Sequence, residues 1–257
     1  MAIELKVLGC SGGKNPGHLL TSFLIKDHLL LDTGSAASAL SPAQQVALDA
    51  VLITHCHLDH VGDIPFIADN LCGARRGSLR IISVGKVLAD LKRHILNDRI
   101  WPDFTVISSG KEPILELVEI AEGEEFEVGG MRAVACPLDH TVPCVGYFLS
   151  EDGGTVLITS DTGPTFRIWQ KARQFENLRA IITEVSFPNR LREVAECSKH
   201  LTPGGLRGEL EKMPQGVPVF LYHLKPRYED EIVDEVKALK DSRLEFLRQG
   251  QTYSFGS

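Results

Sequence analysis

The sequence lacks several features that mark specialised classes of protein. Among its 257 residues, no apolar run approaches the roughly 20 residues that a membrane-spanning helix requires. We find no internal repeat, low-complexity tract or long linker. The composition, with 43% hydrophobic and 24% charged residues, is that of an ordinary globular protein. We therefore expect one domain over residues 1–257, with a substantial core and no membrane partner.

Paired cysteines are absent as well. The six cysteines are scattered, and no two of them form a CxxC pair. The N-terminus, Met1 to Lys6, alternates charged and apolar residues, which is typical of a first strand and not of a signal peptide. Together these observations predict reduced thiols and a cytoplasmic location.

An excess of positive charge is also missing. The formal net charge is −7, whereas wrapping a long nucleic acid draws on many lysine and arginine contacts to phosphates. We therefore expect no long nucleic acid as a partner. A small anionic substrate stays possible, because it needs only local positive charge, and metal ions can supply that.

Short apolar runs bounded by glycine, proline or aspartate predict the strands. They are Ile3–Leu8, Leu19–Ile25, Leu29–Leu31, Val51–Thr54, Leu115–Ile120, Met131–Pro137, Val145–Leu149, Thr155–Thr159, Ala180–Glu184 and Val217–Tyr222. Helices are predicted at Val84–Leu96, Pro164–Arg173, Thr202–Met213 and Tyr228–Leu239, the third with Thr202 as N-cap. Strands come in consecutive groups without strict βαβ alternation. This favours an α/β fold of two stacked mixed sheets flanked by helices, an αββα sandwich.

One dense cluster of candidate metal ligands stands out. His55, His57, Asp59 and His60 follow directly on the predicted strand that ends at Thr54. Imidazole nitrogens and carboxylate oxygens are ligands that suit zinc or a similar divalent ion. Four such residues within six positions indicate a metal site more strongly than a solvated polar turn. Cys56, between two of them, should point away from the metals because side chains alternate along extended backbone.

The segment His55-Cys56-His57-Leu58-Asp59-His60 resembles the HxHxDH signature of the metallo-β-lactamase superfamily. Three later residues, each at a strand end, agree with it: His140, Asp161 and His223. The resemblance implies the fold of that superfamily and a site for two divalent metal ions. Zinc is the expected ion, and manganese or iron would accept the same ligands.

The resemblance also implies how the ligands divide. The first ion would take His55, His57 and His140; the second would take Asp59, His60 and His223; and Asp161 would bridge both. A hydroxide between the ions would be the nucleophile. Asp32 is similar to the family's buried aspartate, which orients the ligands, although an ordinary turn aspartate is an equal interpretation.

The second half of the chain resembles the branch that includes ribonuclease Z and the class II cyclic-nucleotide phosphodiesterases. The similar segments are Val145-Gly146-Tyr147, Thr183-Glu184-Val185-Ser186-Phe187-Pro188 and Lys199-His200-Leu201-Thr202-Pro203. This resemblance implies three catalytic residues. His200 would be the general acid that protonates the leaving oxygen, and Glu184 would orient His200. Asp59, the third, also belongs to the predicted metal ligands. The alternative is that His200 only caps a helix.

The resemblance and the charge together predict hydrolysis of 3′,5′-cyclic AMP or GMP to the 5′-nucleotide. The resemblance alone implies a homodimer. The predicted hairpin between His140 and Asp161 is too short for the long basic arm with which ribonuclease Z binds tRNA. A ribonuclease Z-like nuclease or a hydrolase of another small phosphodiester, such as a 2′,3′-cyclic nucleotide, stays the alternative. Glyoxalase II is a weaker one. A non-catalytic nucleotide sensor is the alternative from another class, and the intact ligand set argues against it.

Overall fold

Residues 2–75, 77–108 and 110–256 are described by the computed structural model of the chain. Their strands, in chain order, are β1 (Ile3–Gly9), β2 (Ser22–Ile25), β3 (Leu29–Leu31), β4 (Ala50–Leu52), β5 (Leu79–Val84), β6 (Leu115–Ile120), β7 (Glu125–Val128), β8 (Met131–Pro137), β9 (Val145–Glu151), β10 (Gly154–Ile158), β11 (Leu178–Glu184), β12 (Val219–Tyr222), β13 (Leu244–Phe246) and β14 (Thr252–Phe255). They form two sheets of seven strands, ordered β14-β1-β2-β3-β4-β5-β6 and β13-β12-β11-β10-β9-β8-β7. Both sheets contain parallel and antiparallel pairs.

Helices flank the sheets. They are α1 (Ala36–Ala39), α2 (Pro42–Val46), α3 (Leu58–Val61), α4 (Ile64–Leu71), α5 (Gly85–His94), α6 (Arg167–Ala172), α7 (Arg192–Ser198), α8 (Pro203–Leu210) and α9 (Glu229–Lys237), with 3-10 turns at Asn189–Leu191 and Pro226–Tyr228. In the described part of the chain, none of them has the length and apolarity needed to cross a membrane.

The central strands of the second sheet are buried on both faces. Along β9, Tyr147 and Leu149 pack into the core shared by the two sheets, whereas Phe148 packs on the opposite face among residues of the helices. Trp169 of α6 and Ile232 of α9 belong to that outer cluster. Because successive side chains of a strand point to opposite faces, such a strand must be apolar throughout. The expected αββα sandwich is therefore confirmed.

The parallel strands bring their carboxyl ends to one edge of each sheet. In the first sheet β3, β4 and β5 run parallel, and in the second sheet β10, β11 and β12 run parallel. The carboxyl ends of parallel strands lie at the same edge of a sheet, and this is where open α/β sheets place their ligand sites.

Several predicted boundaries were too wide, and some elements were not predicted. Val84 is the last residue of β5, and α5 begins only at Gly85. The predicted strand from Leu19 begins at Ser22, and the other predicted helices are shorter by several residues. The N-cap prediction is confirmed, because the Thr202 side chain accepts a hydrogen bond from Gly205 N. Residues 97–108 and 110–113 hold no helix or strand.

Candidate metal centre

Five of the seven predicted ligands lie beyond strand ends. His55 and His57 follow β4, and His140, Asp161 and His223 follow β8, β10 and β12. The remaining two, Asp59 and His60, lie on the short helix α3, which begins directly after His57. Both sheets thus contribute, and the site lies where their carboxyl edges meet.

The structure gathers these side chains into two groups that share one residue. Within each group the candidate ligand atoms all lie within 4.8 Å of one another. The groups are His55, His57, His140 and Asp161, and Asp59, His60, Asp161 and His223. Asp161 Oδ2 is 3.3 Å from His60 Nε2 and 3.4 Å from His223 Nε2. The grouping is the one that the family resemblance implies, although metal binding itself stays a prediction.

The distances within each group fit a divalent ion. His140 Nε2 lies 3.2 Å from His57 Nδ1, and His60 Nε2 lies 3.4 Å from His223 Nε2. Ligand atoms bound tetrahedrally to one zinc ion, at 2.0–2.1 Å each, are about 3.3 Å apart. Facing imidazole nitrogens with no cation between them would instead need a proton to avoid opposing lone pairs.

Two buried polar atoms in the cluster also lack a hydrogen-bond partner. His55 Nε2 and Asp161 Oδ1 are both inaccessible to solvent and make no hydrogen bond. Leaving buried polar atoms unsatisfied is costly, so native proteins pair nearly all of them. A cation bound by both atoms would satisfy them, and the donor set therefore fits the metal ions that the resemblance implies.

Hydrogen bonds to the outer nitrogens fix the orientation of the imidazoles. His60 Nδ1 donates to Asp32 Oδ2 at 2.6 Å, and His140 Nδ1 donates to the Lys199 carbonyl at 3.1 Å. His223 Nδ1 donates to Ser186 Oγ at 2.9 Å. With Nδ1 protonated, each Nε2 presents its lone pair to the centre of the group, which is how proteins orient metal-binding histidines.

Asp32, which accepts the hydrogen bond from His60, has an unusual backbone conformation. It is fully buried and has φ of 56°, a conformation that few residues other than glycine adopt. Its carboxylate also accepts bonds from Thr54 N at 2.9 Å and Thr54 Oγ1 at 2.8 Å. Asp32 therefore ties the strand end that carries His55 to the helix that carries His60. The orienting role is the better of the two interpretations that the sequence allowed.

Close backbone approach explains a glycine of the turn at residues 9–13. A Cβ on Gly12 would lie 2.3 Å from the His223 carbonyl oxygen and 2.7 Å from its Nδ1. Only glycine fits there, since such contacts are far inside van der Waals distance. His223 itself has φ of 67°, in the left-handed region, and its carbonyl and ring both lie against Gly12.

Beside the second group lies a buried carboxylate and histidine pair. His200 Nδ1 donates to Glu184 Oε1 at 2.7 Å, and the His200 ring lies 5.3 Å from that of His140 and 5.4 Å from that of His223. Burial lowers the pKa of His200, but the charge of Glu184 and this hydrogen bond outweigh it, so the pKa is raised above its ordinary value. A histidine that stays protonated beside the cluster can donate a proton.

Ser186 connects this pair to the ligand cluster, a role that was not predicted from the sequence. Its hydroxyl donates to Glu184 Oε2 at 2.5 Å, and its oxygen accepts from His223 Nδ1 at 2.9 Å. Thr162 N and Leu201 N also donate to the Glu184 carboxylate. The sequence did contain a signal for this role. Ser186 lies two residues after Glu184, and in an extended chain such side chains point to the same face.

Two further residues have partners that limit their roles. Cys56 Sγ donates to the Val87 carbonyl on α5, away from the ligand groups, as its alternation predicted. Burial is the main cause that raises the pKa of its thiol to about 12. Lys225, two residues after His223, donates from Nζ to the Gly12 carbonyl and lies 5.7 Å from the centre of the Phe187 ring.

Comparisons with known proteins agree with this architecture. A family model described as "Beta-lactamase superfamily domain" matches residues 28–223. A "Probable 3′,5′-cyclic-nucleotide phosphodiesterase" of Yersinia pestis is 25% identical, over 99% of this chain and 90% of its own length. A "Ribonuclease Z" of Borreliella afzelii (strain PKo) is 24% identical, over 96% of this chain and 92% of its own.

Among solved structures, the metallo-beta-lactamase fold protein YhfI from Bacillus subtilis superposes with a TM-score of 0.80 at 20% identity, covering 99% of this chain and all of YhfI. That likeness concerns the fold, whereas the family model spans most of the sequence, including the ligand segment from His55 to His60 and the later residues up to His223. The chain therefore belongs to the beta-lactamase superfamily and is a hydrolase with the metallo-β-lactamase fold.

Proposed function

We propose that this hydrolase is a metal-dependent phosphodiesterase with two ions per chain, which converts 3′,5′-cyclic nucleotides to 5′-nucleotides. The observation that carries the proposal is the buried Glu184 and His200 pair against the ligand cluster. Hydrolysis of a thioester or a lactam does not depend on protonating a sugar alkoxide, but ring opening of a cyclic nucleotide does. The name and full-length match of the Yersinia pestis relative support the same substrate class.

The metal ions would be held by the seven residues of the two ligand groups, with Asp161 shared between them. When bound, such ions neutralise charge on the phosphodiester and generate a nucleophile from water at neutral pH.

The chain's own residues supply the rest of the reaction. Glu184 holds His200 through Nδ1, so the proton available for transfer is the one on Nε2. As the bond from phosphorus to the 3′ oxygen breaks, His200 gives this proton to that oxygen, which leaves as the 3′ hydroxyl. Glu184 keeps the imidazolium in place because its carboxylate is fixed by Ser186 and by two backbone N–H groups.

A second candidate, a ribonuclease Z-like nuclease, is supported by the Borreliella afzelii relative. The hairpin between His140 and Asp161 argues against it. Strands β9 and β10 are joined by only Asp152 and Gly153, so no arm extends from this position. A net charge of −7 likewise leaves little attraction for a long RNA. We favour the small cyclic substrate for these two reasons.

The experiment is a substrate panel with purified, zinc-loaded protein: 3′,5′-cyclic AMP, 3′,5′-cyclic GMP, a 2′,3′-cyclic nucleotide and a precursor tRNA. We expect turnover of a 3′,5′-cyclic nucleotide with the 5′-nucleotide as product. Hydrolysis of one of the other substrates, with none of either 3′,5′-cyclic nucleotide, would contradict the proposal. His94→Ala serves as a control for histidine replacement, because His94 is exposed on α5.

We also propose that the enzyme acts as a homodimer, as the resemblance implies. Light scattering of the zinc-loaded protein in solution should give twice the mass of one chain. A mass of one chain across the micromolar range would contradict this proposal and leave the substrate proposal intact.

A further inference from the structure

A cavity of about 400 Å³ adjoins the predicted proton donor. It lies between the 3-10 turn at Asn189–Leu191, helix α7 and the first turn of α8, and His200 forms part of its wall. We call it the α7 pocket. Its volume is in the range of small-molecule binding sites, roughly 300–1,000 Å³. None of the seven predicted metal ligands lines it, so the pocket is a neighbour of the cluster and not a part of it.

The pocket has an apolar floor and a polar rim. Ala195 and Leu201, which line it, are 2% and 1% exposed. At the rim, Arg192 Nε donates to Glu196 Oε1 at 2.6 Å, and both side chains are largely exposed. Asn189 uses its side-chain oxygen to accept from Gly204 N at 2.6 Å, so it presents its amide NH₂. A flat group with apolar faces and a polar edge could therefore enter the pocket and form hydrogen bonds with the rim.

The chemistry of the rim indicates what that group is. Arg192 and Glu196 place a fork of donors beside a carboxylate acceptor, and Asn189 adds a further donor. Nucleobases are flat, have apolar faces and carry adjacent donors and acceptors along one edge, and arginine, glutamate and asparagine are the side chains that read such edges. A sugar phosphate without a base has no flat face for the floor.

The position of His200 gives the orientation. Since His200 would protonate the 3′ oxygen, the sugar carrying that oxygen must lie beside His200, and His200 is part of the pocket wall. We propose that the α7 pocket binds the nucleobase of the substrate, with Arg192, Glu196 and Asn189 at the base edge and Ala195 and Leu201 against its face. This inference rests on the proposed function, because it uses the assigned role of His200.

The test measures binding to the zinc-loaded protein by calorimetry, with three probes: 5′-AMP, 5′-GMP and ribose 5-phosphate. The three share the sugar phosphate, and only the first two carry a base. We expect at least one of the two nucleotides to bind at least about tenfold more tightly than ribose 5-phosphate, since one good base contact set gives a discrimination of this size. Equal affinity for all three probes would overturn the proposal.

Two variants locate the effect. In Arg192→Ala/Glu196→Ala the affinity ratio of nucleotide to ribose 5-phosphate should fall toward one, whereas Glu125→Ala/Arg132→Ala, which removes a similarly exposed ion pair from β7 and β8, should keep the wild-type ratio. A ratio that survives the first double variant would overturn the assignment to this pocket. Ala195→Met, which adds volume to the floor, should lower the ratio as well, with zinc content as the check on folding.

The same experiments separate the pocket from the proposed function. If the protein discriminates nucleotides from ribose 5-phosphate in the predicted way but hydrolyses no 3′,5′-cyclic nucleotide, the base-binding pocket stands and the proposed reaction falls. If it hydrolyses cyclic nucleotides without any base discrimination, the reaction stands and the pocket falls.

Discussion

The ligand cluster and the α7 pocket lie side by side but are built in opposite ways. In the cluster, five of the seven predicted ligands are nearly or fully buried, and their outer atoms are held by Asp32, Ser186 and the Lys199 carbonyl. In the pocket, the polar residues Arg192 and Glu196 are exposed and contact each other. His200 joins the two regions, because it lines the pocket and its ring lies 5.3 Å from that of His140 and 5.4 Å from that of His223.

This difference separates two tasks. A site that must hold ligand atoms within a few tenths of an ångström needs a buried supporting shell, and its variants should fail in metal binding. A rim that reads the edge of a small molecule tolerates exposed side chains, and its variants should fail only in affinity and choice of substrate.

The largest effect is expected from Asp161→Ala. This change removes the one residue shared by both ligand groups, so zinc content should fall below two ions per chain and turnover by about 10³-fold or more. Zinc is measured by mass spectrometry of the dialysed protein. Asp152→Ala, at an exposed position of the turn between β9 and β10, is the matched control. Two retained ions with full turnover would show that Asp161 is not the shared ligand.

Next comes His200→Ala, which should keep two zinc ions but lose the proton donor. Turnover of a 3′,5′-cyclic nucleotide should fall by about 10²–10⁴-fold, the usual contribution of a general acid. Hydrolysis of bis(4-nitrophenyl) phosphate should fall much less, because 4-nitrophenolate leaves without a proton. An equal loss on both substrates would remove the acid role from His200 and assign it a structural one.

A smaller effect is expected from Asp32→Asn. The side-chain NH₂ of asparagine would face His60 Nδ1–H or Thr54, so the tautomer of His60 would no longer be fixed. Loss of such a supporting carboxylate typically lowers metal affinity by about 10–100-fold. Competition with a chelator measures this, and Asp49→Asn, at an exposed position, is the control. Unchanged zinc affinity would show that Asp32 supports only the fold.

The smallest effect is a change in pH dependence from Glu184→Gln. The glutamate raises the pKa of His200, so the proton donor persists to higher pH in the wild type and is lost as pH rises through that raised value. Without the charge, the alkaline limb of the turnover profile for a cyclic nucleotide should move to lower pH by about one unit or more. An unmoved limb would show that another group controls it.

Much of this arrangement could be predicted from local sequence. The seven predicted ligands lie after apolar strands or within the HxHxDH segment, which are local features, and the structure brings their side chains together. The two-sheet architecture followed from the grouping of strands. The strands at Leu244–Phe246 and Thr252–Phe255 were missed, since their pairing with β12 and β1 depends on contacts between distant parts of the chain.

The supporting contacts could not be predicted for the same reason. Ser186 joins Glu184 to His223, and the Lys199 carbonyl orients His140 from 59 residues away. The α7 pocket arises only when α7 and the first turn of α8 meet beside His200. Short helices such as α1 and α3, of four residues each, show no apolar periodicity that a sequence could reveal.

The central claim is that one chain holds two ions in the paired ligand groups and that its phosphodiesterase activity depends on both. The most direct test removes metal with a chelator and then titrates the protein with zinc while turnover of 3′,5′-cyclic AMP and 3′,5′-cyclic GMP is followed. We expect turnover of the preferred nucleotide to stay low after one equivalent and to reach its plateau at two equivalents per chain. Full turnover at one equivalent, or a plateau with no dependence on zinc, would contradict the claim.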